Sequence, residues 1–306
     1  MKPKFTGAAL AAVLVLALDS ARATDPYQPD IPESLAAQVS HARGARLNNN
    51  PGDAVRELEG VVQSHPKYFL AHYELGLAYE AVKRVADAIA QLEAAKRLNI
   101  ELKLGEPTIE NSLGALYLSA ARYKDAVAEL EIASSPSNIH KLEPAARRVV
   151  FNNLGLAYSR VDRGCEAAVA YDIANKVSEA PSMPMNQEDA SGVWILTTWV
   201  EKSPSIDPDK TQVTGWLNVS PGRTSESNGD LTLCVKPPQR RSAYVVRERL
   251  VITIRGADVR MAGRVSDGAL VWQNDQIKAS RSDTTITGTA QSGSSDIYNI
   301  QFEKLW

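Results

Sequence analysis

The chain is poor in the residues from which catalytic and metal sites are most often built. Among 306 residues there are two cysteines and four histidines. His41, His65, His72 and His140 all fall in the first half, and no pair has a metal-ligand spacing. No Gly-x-Ser-x-Gly elbow and no Gly-x-x-x-x-Gly-Lys phosphate loop occurs. Asp207 and Asp209 are neighbours on a proline-bounded loop, where an Asp-x-Asp pair reads as solvation rather than as a calcium site. Charge of one sign is also scarce: the net charge is −2, and the short run Gln239-Arg240-Arg241 has no aromatic residues interleaved, so it reads as a solvated turn and not as a nucleic-acid surface. These absences imply no cofactor and no enzyme, and leave open only a catalytic site assembled from scattered residues.

Long apolar runs are missing as well. The one present, Ala8 to Leu18, is too short for a permanent membrane anchor. It follows Lys2 and Lys4 and precedes Ala21-Arg22-Ala23, small residues of the kind accepted before a cleavage point. Residues 1–23 therefore read as a signal peptide, with an uncleaved membrane-associated helix as the alternative. The mature chain is then expected to begin at Thr24, in the periplasm or outside the cell. No cysteine stands at the cleavage point for a lipid, and residues 24–34 form a proline-rich lead-in with no core of its own.

What the sequence has in quantity is repetition. Leu75-Gly76-Leu77-Ala78-Tyr79 returns as Leu113-Gly114-Ala115-Leu116-Tyr117 and again as Leu154-Gly155-Leu156-Ala157-Tyr158. Each glycine is followed, twelve, sixteen and nineteen positions on, by a small, a large and a small residue: Ala88, Leu92 and Ala95; Ala126, Leu130 and Ala133; Ala167, Tyr171 and Ala174. A worn copy precedes them in Ala42, Ala54, Leu58, Val61 and Pro66. This pattern resembles the tetratricopeptide repeat (TPR), in which two antiparallel helices cross where only Gly or Ala fits. The resemblance implies that Gly76, Ala88, Gly114, Ala126, Gly155 and Ala167 make the crossings, and that Tyr79, Tyr117 and Tyr158 fill the space between units. It covers residues 35–180, in units of about 35–68, 69–106, 107–147 and 148–180. The intervals between glycines exceed the usual repeat, and the surplus falls at Lys103 to Pro107 and Ser134 to Pro144, either as tolerated loops or as a lip on one side of the stack.

By the same resemblance the second, fifth, ninth and twelfth positions of a unit line a groove that holds a peptide of a partner protein. The candidate groove residues are Tyr73, Leu77, Asn111, Ala115, Asn152, Asn153 and Leu156. An amide side chain offers donor and acceptor together and pairs with the backbone of an extended segment whatever its sequence. The alternative is that Asn111 and Asn152 only cap or solvate a helix. Chaperone adaptors similar to this fold add lysines and arginines to grip a terminal carboxylate. No lysine stands at the fifth or ninth positions here, which points to a groove contacting apolar side chains.

Residues 181–191 carry two prolines and two methionines and suit a linker. Beyond them, over residues 192–306, short alternating runs replace the helical period: Val193 to Val200, Gln212 to Val219, Leu231 to Val235, Val245 to Ile254, Val259 to Val265, Ala269 to Trp272, Gln276 to Ala279, Thr284 to Ala290 and Ile297 to Phe302. Ser227-Asn228-Gly229-Asp230, Ser266-Asp267-Gly268 and Ser292-Gly293-Ser294 read as turns between them. The fold class is thus multidomain α plus β, an all-α TPR solenoid followed by an all-β barrel or sandwich. All five tryptophans lie in this second part. They fill or plug a barrel, or else Trp194, Trp216 and Trp272 wall a pocket for a small apolar ligand. The Gly192-Val193-Trp194 opening and the closing stretch from Phe302 to Trp306 are loosely similar to small lipocalin-like barrels. Cys165, near the start of the last repeat's second helix, and Cys234, on a strand face with Thr232 and Lys236, either pair as a disulfide between the domains or remain separate.

Two functions follow. The first is an exported, non-enzymatic scaffold or adaptor that grips a protein segment in its helical groove, in cell-envelope assembly or secretion. The second is a carrier or sensor holding a small apolar molecule in the β domain.

Overall fold

In the computed structural model the described residues are 25, 27–28, 30–177, 192–201, 212–220, 226–236, 243–255, 258–265, 276–281, 285–292 and 296–305. The chain divides into two compact units between Ala133 and Ser134.

The first unit contains three helix pairs: α1 (Glu33–Leu47) with α2 (Pro51–Ser64), α3 (Phe69–Ala81) with α4 (Val85–Glu101), and α5 (Thr108–Ser119) with α6 (Tyr123–Ala133). Each pair nests at the small residue. A Cβ added to Gly76 would stand 2.7 Å from Leu92 Cγ, and one added to Gly114 would stand 2.5 Å from Leu130 Cγ. Leu92 and Leu130 are fully buried, as are Ala88 and Ala126, so the crossing helices have no room to part. The worn copy packs alike, with Ala42, Ala54 and Leu58 buried.

The turn inside each pair repeats too. Asn49, Lys83 and Ala121 have φ of 64°, 65° and 57°, the left-handed region that reverses the chain after a helix. Behind the turn, the guanidinium of Arg84 lies 4.2 Å from the centre of the Tyr79 ring and its Nε donates to Asp87 at 2.6 Å. Arg122 repeats this over Tyr117 at 4.3 Å, with Asp125 at 2.7 Å. The tyrosines also link units: Tyr79 donates to Glu59 Oε1 at 2.6 Å, and Tyr117 to Glu93 Oε1 at 2.7 Å, each glutamate belonging to the second helix of the preceding pair. The segment from Lys103 to Pro107 is pinned, because the Asn99 side chain donates to the carbonyl of Glu106 and accepts from its N–H, both at 3.0 Å.

The second unit contains α7 (Pro136–Ile139), the pair α8 (Pro144–Arg160) and α9 (Gly164–Val177), and eight strands: β1 (Gly192–Glu201), β2 (Gln212–Ser220), β3 (Glu226–Lys236), β4 (Tyr244–Arg255), β5 (Asp258–Val265), β6 (Gln276–Arg281), β7 (Thr285–Ser292) and β8 (Asp296–Lys304). The surplus residues before α8 are folded rather than loose, since α7 buries Ile139 and the turn after it buries Leu142. The α8–α9 pair keeps the repeat geometry: Asp162 has φ 60°, Arg163 covers Tyr158 at 4.1 Å, and a Cβ on Gly155 would meet the Tyr171 ring at 2.8 Å.

The strands are antiparallel in chain order, and β8 pairs back with β1 through Trp194↔Lys304 to Glu201↔Tyr298, which closes the curled sheet into a barrel order. Trp194, Leu196, Leu217, Leu231, Leu233, Leu250, Ile252, Met261, Ile286, Ile300 and Phe302 fill the inner side as one buried cluster. Ser227-Asn228-Gly229-Asp230, expected as a turn, lies within β3, where Asn228 pairs with Ser220 and Gly229 with Val219. The glycine is there for space: a Cβ on Gly229 would stand 2.6 Å from Ile252 Cδ1. The expected strand Ala269 to Trp272 and the turn Ser266-Asp267-Gly268 lie outside the described residues.

The division at Ala133 separates the last helix pair from the other three and groups it with the sheet, whereas the repeat pattern alone runs unbroken from 35 to 180. The reason is α9, which packs on β2, β3 and β4. Cys165 on α9 and Cys234 on β3 form a disulfide with their Cα atoms 5.5 Å apart. Two turns further along α9, Asp172 Oδ2 accepts from Arg247 Nε and Nη2 at 3.1 and 3.0 Å.

Candidate functional site

The partner-binding candidates lie on the first helices of the pairs, four in the first unit and three in the second. On α3, Tyr73 is stacked on Phe69 with ring centres 6.3 Å apart. Burial pushes its phenol upward, while the nearby hydroxyls of Thr108 and Ser112 on α5 pull it back. Leu77 is buried and is no open contact, whereas Tyr73 is half-buried. On α5, Ala115 is half-buried. Asn111 is half-buried too, and its Oδ1 is shut off from solvent with no hydrogen-bond partner among the described residues. On α8, Asn152 is exposed, and Asn153 and Leu156 are half-buried. The set left at least partly open is therefore Tyr73, Asn111, Ala115, Asn152, Asn153 and Leu156, each described within its own unit.

Positive charge is present where the groove reading looked for it, in the worn first copy. With Ala42 at the eighth position, where the other units have glycine, Arg43 and Arg46 occupy the ninth and twelfth. Both are already engaged by the chain: Arg43 Nε donates to Glu74 Oε1 at 2.6 Å and Arg46 Nη2 to Glu74 Oε2 at 2.9 Å, with Glu74 only 2% exposed. An internal carboxylate holds the two cations, so a terminal-carboxylate grip has none to use here.

Next to Asn111, Glu110 is also buried with Oε2 unpartnered. Burial is the first cause that raises its carboxyl above the ordinary range, with Glu129 and Glu106 adding to it and Lys96 opposing.

A structural role that the sequence reading passed over is the lead-in. Expected to have no core, it packs onto the helices: Asp25 is 4% exposed, and the Tyr27 ring meets Phe69 edge-on at 5.1 Å. The arginine eight residues after each repeat glycine, with an acid three further on, was also missed, although the same periodicity that exposed the glycines displays it.

Of the three candidate pocket tryptophans, the two that are described, Trp194 and Trp216, stand on opposite faces of the sheet. Trp194 belongs to the inner cluster, under Lys304 Nζ at 5.2 Å from its ring centre. Trp216 pairs with Thr232, and Thr232 pairs with Arg247. Partners across an antiparallel sheet share a face, so Trp216 stands on the outer side, which α9 covers. Trp272 lies outside the described residues. Among the described residues, Trp194 is buried in the inner cluster and Trp216 is buried on the outer face.

Among the described residues no group of three or more His, Cys, Asp or Glu is arranged to hold a metal, and no helix is long and apolar enough to cross a membrane. No family model matches the chain, and no curated protein matches it. Similar solved structures include MamA, 21% identical over 47% of this chain and 78% of that one with a TM-score of 0.40. A putative kinesin light chain with TPR-like repeats from Podosopora anserina is 21% identical over 49% and 77%, TM-score 0.43. A de novo designed fluorescence-activating β barrel is 16% identical over 40% and 99%, TM-score 0.29. Likenesses at this level carry no functional inference.

Proposed function

We propose that the protein is a non-enzymatic, exported scaffold or adaptor that binds an extended segment of a partner protein along the first helices of its repeats, in assembly or secretion at the cell envelope. The observation that carries this is Asn111, whose carbonyl oxygen is withdrawn from water with nothing to accept from. An acceptor left in that condition costs about 1–3 kcal/mol. A rotation of the half-buried Asn111 side chain presents this oxygen to a backbone N–H of a bound segment and removes the cost, and the half-buried Ala115 one turn on leaves the backbone room to approach. Asn152 on α8 repeats the amide at the equivalent position of the next unit.

The test is a photo-crosslinking residue at Ala115 in the native host, followed by identification of the attached polypeptide. The expected result is one polypeptide whose capture is lost when Asn111→Ala and Asn152→Ala are combined, with the helical circular dichroism unchanged. Undiminished capture in the double variant removes the groove. Export is tested separately: protein recovered from the host begins at Thr24.

A further inference from the structure

The lead-in is held in the manner of a bound peptide, and we propose that its seat is a peptide-recognition site which the chain fills with its own residues until a partner segment of the same chemistry displaces them. The proposal deepens the scaffold reading and rests on it.

Two side chains of the lead-in, Tyr27 and Gln28, are read by different groups, and a third, Asp25, shapes the segment itself. Asp25 Oδ1 accepts from the N–H of Tyr27 at 2.7 Å and of Gln28 at 2.9 Å, which fixes the segment in a tight turn. The Tyr27 ring lies against the edge of Phe69, and its hydroxyl donates to Glu106 Oε2 at 2.9 Å. Glu106 is itself held in place, its Oε1 accepting from the N–H of Thr108 at 3.0 Å. The Gln28 amide uses both of its ends: Nε2 donates to the carbonyl of Lys67 at 3.1 Å and Oε1 accepts from the N–H of Phe69 at 2.7 Å.

Those two backbone groups define the seat. Phe69 is the first residue of α3, and a first-turn N–H has no partner inside its own helix. With the Lys67 carbonyl it forms a donor and acceptor pair that one carboxamide satisfies. A phenol slot closed by Glu106 adjoins it. Beneath both lies the Phe69–Tyr73 stack, and Tyr73 is itself one of the candidate groove residues. The seat is thus continuous with the candidate groove. Its occupant is defined by chemistry: a turn-forming segment of a partner protein presenting a tyrosine followed directly by a glutamine.

The occupant now present is tethered through residues 29–32 to α1, so it competes as an intramolecular ligand at an effective concentration of the order of millimolar. Opening the seat is therefore expected to expose a binding activity that the intact chain hides. The experiment uses the full chain and a fluorescent synthetic peptide spanning residues 24–32. Fluorescence anisotropy is expected to show that the Tyr27→Ala, Gln28→Ala double variant binds the peptide at least tenfold more tightly than the unaltered chain. Peptides in which the tyrosine or the glutamine is replaced by alanine are expected to lose that gain. Equal binding by variant and unaltered chain, or by altered and unaltered peptides, overturns the proposal. Concentration-dependent dimers of the unaltered chain that vanish in the variant would assign the seat to a second copy, and would overturn the partner assignment. Because the probe is the chain's own segment, failure here leaves the Asn111 and Asn152 test standing, and failure of that test with peptide binding intact removes only the groove.

Discussion

Gly114 and Leu130 are in contact through the absence of a side chain: a Cβ on the glycine would sit 2.5 Å from Leu130 Cγ, and Leu130 has no exposed surface into which to retreat. At Gly155 the equivalent clash is with the ring of Tyr171, which is 37% exposed and free to swing outward.

The two glycines therefore forecast different outcomes for one substitution. Gly114→Ala gains up to about 1 kcal/mol of helix propensity but overpacks a closed crossing at a cost of about 1–3 kcal/mol, for a net loss. Gly155→Ala is expected to be neutral or stabilising. Urea unfolding followed at 222 nm separates them, and equal losses at both sites would show that the crossing does not depend on what faces the glycine.

A second prediction concerns the bond between Cys165 and Cys234, which closes a 69-residue separation. In the chain-entropy account such a loop stabilises by about 4 kcal/mol. Replacing both cysteines with serine is expected to shift unfolding of the second unit by about that amount, and dithiothreitol to reproduce it in the unaltered chain. The tryptophans make the measurement selective, since all five lie between 194 and 306. A midpoint of tryptophan emission that does not move on reduction would mean that the Asp172–Arg247 pair and the packing of α9 hold the helix without the bond. That pair alone is a weak substitute, because Arg247 is largely exposed and such bridges contribute about 0.2–1 kcal/mol.

The third prediction is one of sign. Burial raises the Glu110 carboxyl above its ordinary value, so the folded state favours the protonated form. Its stabilising influence is complete below the unfolded value and is lost as pH rises through the folded one, which leaves an ionised, desolvated carboxylate at neutral pH. Glu110→Gln is therefore expected to stabilise the first unit at pH 7, with the advantage over the unaltered chain shrinking as pH falls to 4 and below. An advantage that is constant with pH would mean that the charge is compensated, for instance by Lys96.

How much of this was legible beforehand follows from where the signals come from. The helix pairs were readable because a close crossing tolerates only small residues, and Gly76, Gly114 and Gly155 announce it at regular intervals. Seven of the eight expected strands that are described begin and end within two residues of the observed ones, since alternation is a local property. Gly229 misled because glycine has two uses, reversal and close approach, and only the neighbouring strand carrying Ile252 tells which applies. The lead-in misled for the opposite reason: three prolines and few apolar residues announce no core, yet Tyr27 and Gln28 are held by backbone and side-chain groups from three places in the sequence.

By itself the sequence determined the elements, their order, and the small-residue crossings that pair the helices, because each depends on residues within one repeat. Tertiary structure alone decided which of the candidate groove residues remain open, that Arg43 and Arg46 are occupied by Glu74, that Trp194 and Trp216 lie on opposite faces of a sheet, and that the last helix pair belongs with the strands. Each of these is a matter of what arrives from a distant part of the chain, and periodicity holds no record of distance.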